Sequence, residues 1–291
     1  MNLIGRYTNG NYSVSIFEDG TKIRENELDS LDPNFPENID LKITDFCDAG
    51  CLYCHENSTK KGLHGDLDVA FIETLKPYTE LAIGGGNPLD HPSLVPFLEH
   101  LKKRNVLANL TVNQIHFEKQ QPLLKYLSEN KLIRGLGVSM IKSTDKFIAL
   151  LPVYENIILH TINGVTSLEN YKNLFDKNLK VLILGYKYLR RGADYYSESV
   201  ERNKKELYDA LPLMLSKFKL VSFDNLALEQ LDVKRLVSED YWNAFYMGDD
   251  CKYTMYIDLV KKEFSKSSTS HVRHPIIPAI EEMFNIAREI D

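Results

Sequence analysis

The sequence is poor in cysteine, lacks an excess of positive charge, and contains no long apolar run. Its 291 residues include four cysteines, too few for a disulfide scaffold. Three of the four crowd into one loop, and in a chain with no apolar leader that crowding favours metal ligation over pairing. No stretch approaches the roughly 18 apolar residues that a membrane span requires, and the opening MNLIGRYTNG lacks the apolar core of a secretion signal. A cytoplasmic, reducing location without a membrane partner is therefore expected. The formal net charge of -6 argues against a surface built for bulk nucleic-acid backbone binding. Lys187 to Arg191, KYLRR, is the one local basic run. Low-complexity tracts and recognisable internal repeats are also missing.

What is present is ordinary material for a soluble core, 43% hydrophobic and 26% charged. Residues 1–38 read as an N-terminal β-hairpin extension, with Tyr12, Val14 and Ile16 alternating before a turn at Glu18-Asp19-Gly20, and residues 29–38 as a connector. From Ile39 short branched-apolar segments alternate with helical ones. The strands expected are Ile39–Thr44, Glu80–Ile83, Ala108–Val112, Gly135–Met140, Asn156–Thr161 and Lys180–Gly185. The helices expected between them are Leu67–Leu75, Leu94–Lys103, Gln120–Glu129, Thr144–Leu150 and Leu168–Lys177, and Glu201–Phe218 follows the last strand. Strands joined by crossover helices pair in parallel, so residues 39–218 are expected to form an α/β partial (β/α)6 TIM-like barrel. Residues 219–291 form a C-terminal closing region, a hairpin from Tyr253 to Lys266 and a helix from Pro278 to Ile290. The two terminal hairpins are expected to share one small antiparallel sheet. Tyr241, Trp242, Phe245 and Tyr246 are expected to bury one helix face against the barrel.

The chemistry concentrates after the first barrel strand. Cys47, Cys51 and Cys54 lie in a Cys-x3-Cys-x2-Cys spacing, and three thiolates on one loop ask for a metal. A closed zinc site with Cys251 as fourth ligand is one reading. Zinc ribbons usually pair two Cys-x2-Cys knuckles, however, and only one is present; Cys251 reads better as a small buried residue. An iron–sulfur cluster held by three thiolates would keep one iron open to a further ligand. The run Gly84-Gly85-Gly86-Asn87-Pro88 follows the second strand without the Gly-Lys-Ser/Thr of a phosphate loop.

Cys47-x3-Cys51-x-Tyr53-Cys54 resembles the cluster motif of the radical S-adenosylmethionine (radical SAM) superfamily, including the aromatic before the third cysteine. That resemblance implies a [4Fe-4S] cluster on Cys47, Cys51 and Cys54 and S-adenosylmethionine (SAM) on its open iron. It also implies reductive cleavage to a 5'-deoxyadenosyl radical that abstracts hydrogen from a peptide, protein, nucleoside or other small molecule. A flavodoxin- or ferredoxin-like one-electron donor follows from the same resemblance. Gly84, Gly85, Gly86 and Asn87 occupy the place of the family's Gly-Gly-Glu-Pro, which binds the SAM amine, with Asn87 where the family commonly has Glu. By the same resemblance Tyr53, Asn113 and Ser139 outline a nucleoside pocket at the strand ends. His55 and His160 either face the site or pack beside it. Lys187, Arg190 and Arg191 either meet an anion or stand in solvent.

Overall fold

Residues 2–28 and 30–289 are described by a computed structural model; Met1, Asp29 at the head of the expected connector, Ile290 at the end of the expected last helix, and Asp291 lie outside them. The chain opens with β1 (Leu3–Asn9), β2 (Tyr12–Phe17) and β3 (Lys22–Glu25), a three-stranded antiparallel sheet. Where a hairpin was expected, β1 adds a third strand, with Tyr7 opposite Val14.

Then come β4 (Asn38–Thr44), β5 (Glu80–Gly85), α1 (Leu94–Lys103), β6 (Leu107–Asn113), α2 (Gln114–Lys119), α3 (Gln121–Glu129), β7 (Gly135–Ser139) and α4 (Asp145–Leu150). They are followed by β8 (Ile157–Ile162), α5 (Leu168–Lys172), β9 (Lys180–Leu184), α6 (Arg191–Tyr195), α7 (Glu198–Leu215), β10 (Leu220–Phe223) and α8 (Asn225–Gln230). The chain closes with α9 (Glu239–Phe245), β11 (Thr254–Asp258), β12 (Glu263–Ser265), β13 (His274–Pro275) and α10 (Ile280–Arg288).

All six expected barrel strands form, and β4 to β10 pair side by side in parallel. The alternation runs one unit further than expected, because Leu220–Phe223 is a seventh parallel strand. Among the described residues the sheet ends at β10 on one side and β13 on the other and does not close, a partial barrel as anticipated. The expected helix at Leu67–Leu75 shrinks to a 3-10 turn over Ala70–Thr74. The segment Gln120–Glu129 is preceded by a separate helix, α2, from which a non-helical Gln120 and then Pro122 divide it.

The C-terminal hairpin corrects an expectation. Rather than joining the N-terminal unit, β11 lies parallel to β4, with Ile257 opposite Leu41, and β12 and β13 extend the barrel sheet. Its residues Met255, Tyr256 and Ile257 are buried in succession, the mark of a strand covered on both faces. The N-terminal sheet instead packs Tyr12, Val14 and Ile16 on Tyr253, beneath the starting ends of the barrel strands. Glu37, just before β4, anchors it there by accepting hydrogen bonds from Arg24 Nε (2.8 Å) and Tyr12 Oη (2.6 Å). Tyr241, Trp242, Phe245 and Tyr246 also depart from expectation. No residue of α9 is buried, and its rings pair along the helix, Tyr241 with Phe245 at 4.4 Å and Trp242 with Tyr246 at 4.7 Å. A four-residue spacing aligns rings on one face whether or not that face meets a core. Here it walls an apolar groove of about 540 Å³ beside β10.

The two faces of the barrel sheet differ. Ile39, Leu41, Ile43, Leu81, Ile83, Leu110, Val112, Val138, Leu159, Val181 and Ile183 are fully buried beneath the helices. The alternate residues face inward, and most of those on β5 to β9 keep some contact with solvent. The inside of the partial barrel is a hollow.

Candidate functional site

The cysteine loop leaves β4 at Thr44 and returns by Gly65. Backbone bonds fold it on itself: Asp45 N donates to Leu63 O (2.8 Å), Cys47 N to Thr59 O (2.9 Å), Thr59 N to Asp45 O (3.0 Å) and Gly65 N to Ile43 O (2.8 Å). The glycine run on β5 then docks against the start of this loop, with Gly86 N donating to Thr44 O (2.7 Å) and Asn87 N to Phe46 O (2.6 Å). The approach is too close for side chains. Gly85 has φ +111°, and a Cβ there would strike Thr44 O; one on Gly86 would strike Phe46 O. Gly84 differs, because a Cβ on it would meet nothing closer than Thr111 at 3.9 Å.

Cys47, Cys51 and Cys54 are free and half-buried. Burial raises the thiols of Cys47 and Cys51 above their ordinary value, and the neighbouring cysteines raise both further. Among the described residues no three Cys, His, Asp or Glu side chains converge on a point that would hold a single ion. A tetrahedral zinc with metal–sulfur bonds of about 2.3 Å would need sulfurs ~3.8 Å apart. Three thiols on one loop are the donor set that a cluster takes, one thiolate to each of three irons. Cys251 stands apart: it is buried at 3% exposure, burial pushes its thiol up to about 11, and the charges acting on it are Lys266, Arg288 and Asp250.

The other residues singled out in the sequence gather around this loop. Tyr53 packs edge-on against Tyr195 with centroids 5.6 Å apart, and burial followed by the Cys51 thiolate raises its phenol. Asn113, at the end of β6, caps α2 by accepting from Ile115 N (2.9 Å) and turns its amide N–H₂ to Cys51 Sγ at 3.4 Å. Ser139 sits level with Asn113 and His160 across β6, β7 and β8. Burial holds the His160 imidazole down to about 4, so it is neutral. Asn87 is fully buried, with its amide oxygen accepting from Leu89 N (3.3 Å) and its nitrogen donating to Asp90 Oδ2 (2.8 Å). Both ends of that amide serve the turn after β5.

The three basic residues after β9 hold the loop itself. Arg190 Nη1 donates to His55 O (2.8 Å), Arg191 Nη2 to Ser58 O (2.6 Å), and Lys187 Nζ to Ser268 Oγ (2.9 Å), lying 3.4 Å from His55 Nε2. Burial, then Lys187, lowers the His55 imidazole.

Sequence reasoning missed two further supports. Lys42, 3% exposed, meets Asp45 (2.7 Å), Glu56 (2.8 Å) and Asp258 (3.1 Å). It thereby ties both limbs of the cysteine loop to β4 and β11. Burial opposes the Glu56 carboxylate, yet His55 and Lys42 together hold its pKa well below the usual range. His116 on α2, almost completely buried, lies 2.6 Å from Asp48, the residue after Cys47. Charged residues at alternate positions of a strand otherwise rich in Ile and Leu, as in Asp40 and Lys42, were the available signal.

Solved proteins share this architecture. SuiB of Streptococcus suis, in a structure bound to S-adenosylmethionine, superposes with a TM-score of 0.58 over 84% of this chain and 64% of its own, at 13% identity. SuiB bound to its precursor peptide SuiA gives 0.54 over 81% and 60%, at 12% identity. Native anSMEcpe with bound AdoMet gives 0.58 over 85% and 80%, at 14% identity. The chain thus spans less than two thirds of SuiB. No family model matches the chain, and no curated protein does. SuiB and anSMEcpe are radical SAM enzymes, and the likeness at these identities is one of architecture: the chain has the radical SAM fold.

Proposed function

We propose that this chain is a radical SAM enzyme that acts on a peptide. The observation that carries the reading is the juxtaposition of the three-cysteine loop with the glycine run of β5 at the mouth of an open hollow. The fold of SuiB and anSMEcpe supports it, and the SuiB structure with its precursor peptide supports a peptide as the substrate.

On this reading Cys47, Cys51 and Cys54 hold a [4Fe-4S] cluster, and Gly84, Gly85, Gly86 and Asn87, with Tyr53, Asn113 and Ser139, border SAM. When bound, the two together supply a reductive cleavage whose radical product abstracts a hydrogen atom. The chain's own part is to place and to shield. Gly84 leaves room beside Thr111, main-chain oxygens of the glycine run would meet a ligand amine, and the Asn113 amide, already turned to Cys51 Sγ, would donate toward a cluster thiolate. Asn87 brings no charge and both ends of its buried amide are taken, so the SAM ammonium would rely on main-chain oxygens of the glycine run. A flavodoxin- or ferredoxin-like donor supplies the electron.

Anaerobic reconstitution with iron and sulfide, followed by dithionite and SAM, tests the reading. A brown protein that releases 5'-deoxyadenosine is expected, and a cluster-loaded protein that leaves SAM intact refutes it. Cys251→Ala should retain the full iron content; loss of metal would restore a four-cysteine site.

A further inference from the structure

Resting on that reading, we infer that the hollow of the partial barrel recognises a substrate bearing an alkyl cation, an ammonium or guanidinium on a flexible chain, and that Asp40 is the residue that binds it.

Charged side chains on the inner face of β4 and β5 are matched, with one exception. Lys42 has three carboxylates, and Glu80 has Lys22 (3.0 Å), Arg134 (3.4 Å) and the Asn109 amide (3.0 Å). Asp40 makes no ion pair among the described residues, although it stands mid-strand between Tyr256 of β11 and Ala82 of β5. It is exposed to solvent while its neighbours Ile39 and Leu41 are fully buried, so water reaches it through the hollow. Burial raises its carboxyl pKa, Asp250 and Asp224 raise it further, and Lys187 and Asn38 pull it back. The charges acting most strongly on Asp40 are thus one ammonium and two carboxylates, and that ammonium already donates to Ser268. His160, the imidazole on the inner face, is neutral and does not offset them. A carboxylate on the wall of a protein hollow, with no ion pair of its own, is stabilised by an entering cation more than one in open water would be.

The position also sets a length. Asp40, Ala82 and Asn109 form one level of the sheet, and Asn113 and Ser139 form another. Those levels are four residues apart along β6, or about 13 Å at 3.3 Å per residue. Between them Gly84 and Gly137 contribute no side chains, nor does Gly135 at the Asp40 level, and the Asn109 amide and the His160 ring lie across β7 in their place. A lysine or arginine side chain entering from the cysteine-loop end reaches roughly half of that depth.

The test uses cluster-loaded protein with SAM bound, and compares Nα-acetyl-lysine methylamide, Nα-acetyl-arginine methylamide and 1,5-diaminopentane with the neutral norleucine and citrulline methylamides. Dissociation constants are measured by ligand-observed NMR. The cations should bind about ten-fold tighter than the neutral compounds, and Asp40→Asn should abolish that preference. Preference for the amino-acid derivatives over the diamine identifies a peptide side chain as the source, and the reverse identifies a free polyamine. Equal affinity of cations and neutral compounds, absence of all binding included, overturns the inference. Ala82→Leu, which fills the space beside Asp40, should weaken every cation and serves if Asp40→Asn fails to fold. Release of 5'-deoxyadenosine is scored on the same samples. Cleavage without cation preference sinks the Asp40 assignment alone, and preference without cleavage sinks the enzymatic reading alone.

Discussion

Replacing Lys42 with Met should loosen the cysteine loop more than any other change of one side chain on β4. The stem is retained, and only the ammonium is lost. Its contacts run from 2.7 to 3.1 Å; a unit pair at about 4 Å in a surface-like dielectric is worth about 4 kcal/mol before desolvation is subtracted. Asp45 is 25% exposed and is discounted for solvent screening. Glu56, at 11% exposed, keeps only its longer contacts to His55 (3.3 Å) and Arg190 (3.4 Å), and Asp258, at 3%, is left with no ion pair among the described residues. Removing one partner of a buried pair costs about 3–5 kcal/mol because the remaining charge is stranded, so about 4 kcal/mol is expected, or about 10 °C in Tm for a chain of this size. Thermal unfolding of the metal-free protein measures the first effect, and iron per chain after reconstitution measures the second. Adding Glu56→Gln and Asp258→Asn to the Met variant should recover part of the loss, since only the partly exposed Asp45 then lacks its partner. A Tm shift under about 2 °C with unchanged iron loading would refute the reasoning. The raised ammonium pKa of Lys42 places its contribution fully below pH 10.5, to be lost only as pH rises through that raised value, so the effect is constant between pH 6 and pH 9.

Much of the architecture was legible because its signals are local. Ile39-Asp40-Leu41-Lys42-Ile43 alternates as a strand with one covered face must, and each of the six expected parallel strands repeats a version of that pattern. Where the fold escaped prediction, pairing decided the outcome. Nothing in Leu220–Phe223 distinguishes a seventh parallel strand from a loop until β9 lies beside it. Similarly, Met255-Tyr256-Ile257 reads as a hairpin arm with no preferred partner, and only β4 makes it a barrel strand. The aromatic residues of α9 carry a helical period that is silent about which side a core lies on.

The site divides along the same line. Three cysteines in eight residues and a glycine run announce themselves, since their chemistry depends on sequence spacing. The glycines turn out to have two uses: Gly85 and Gly86 admit the backbone of the cysteine loop, and Gly84 opens on the hollow. Lys42, Glu56 and Asp258 are 14 and 202 residues apart along the chain, and no pattern in one dimension joins them. Asp40 is legible only by contrast. Among the described residues it is the inward carboxylate of β4 and β5 that folding leaves without an ion pair, with Lys187 acting on it only from a distance.

Two predictions remain. Asn113→Leu removes the N–H donor from Cys51 Sγ and the cap on α2, which should cost about 1 kcal/mol of stability. In protein reconstituted with the proposed cluster it should also move the midpoint to a more negative value, because a hydrogen bond to sulfur favours the reduced state; an unchanged potential in an EPR-monitored titration refutes the contact. The second prediction concerns Glu37, which is 1% exposed and holds the N-terminal sheet beneath the barrel through Arg24, Tyr12 and Lys22. Glu37→Gln leaves Arg24 facing an amide and should cost about 3 kcal/mol at pH 7. Burial alone would raise this carboxyl, but the Arg24 hydrogen bonds and charge, with Lys22, outweigh it and hold the pKa below its ordinary 4.5. Below 4.5 the unfolded chain takes up a proton before the folded one does. The wild-type advantage is therefore complete above that value and is lost as pH falls through the depressed pKa, whereas the Gln variant has nothing at this position to titrate. Glu80, which shares Lys22, titrates in both proteins and cancels to first order in the comparison. Urea unfolding of the pair should show a difference that is constant from pH 8 to pH 5 and shrinks on further acidification. A gap that stays the same down to about pH 3 would mean that Glu37 acts through packing and not through its charge.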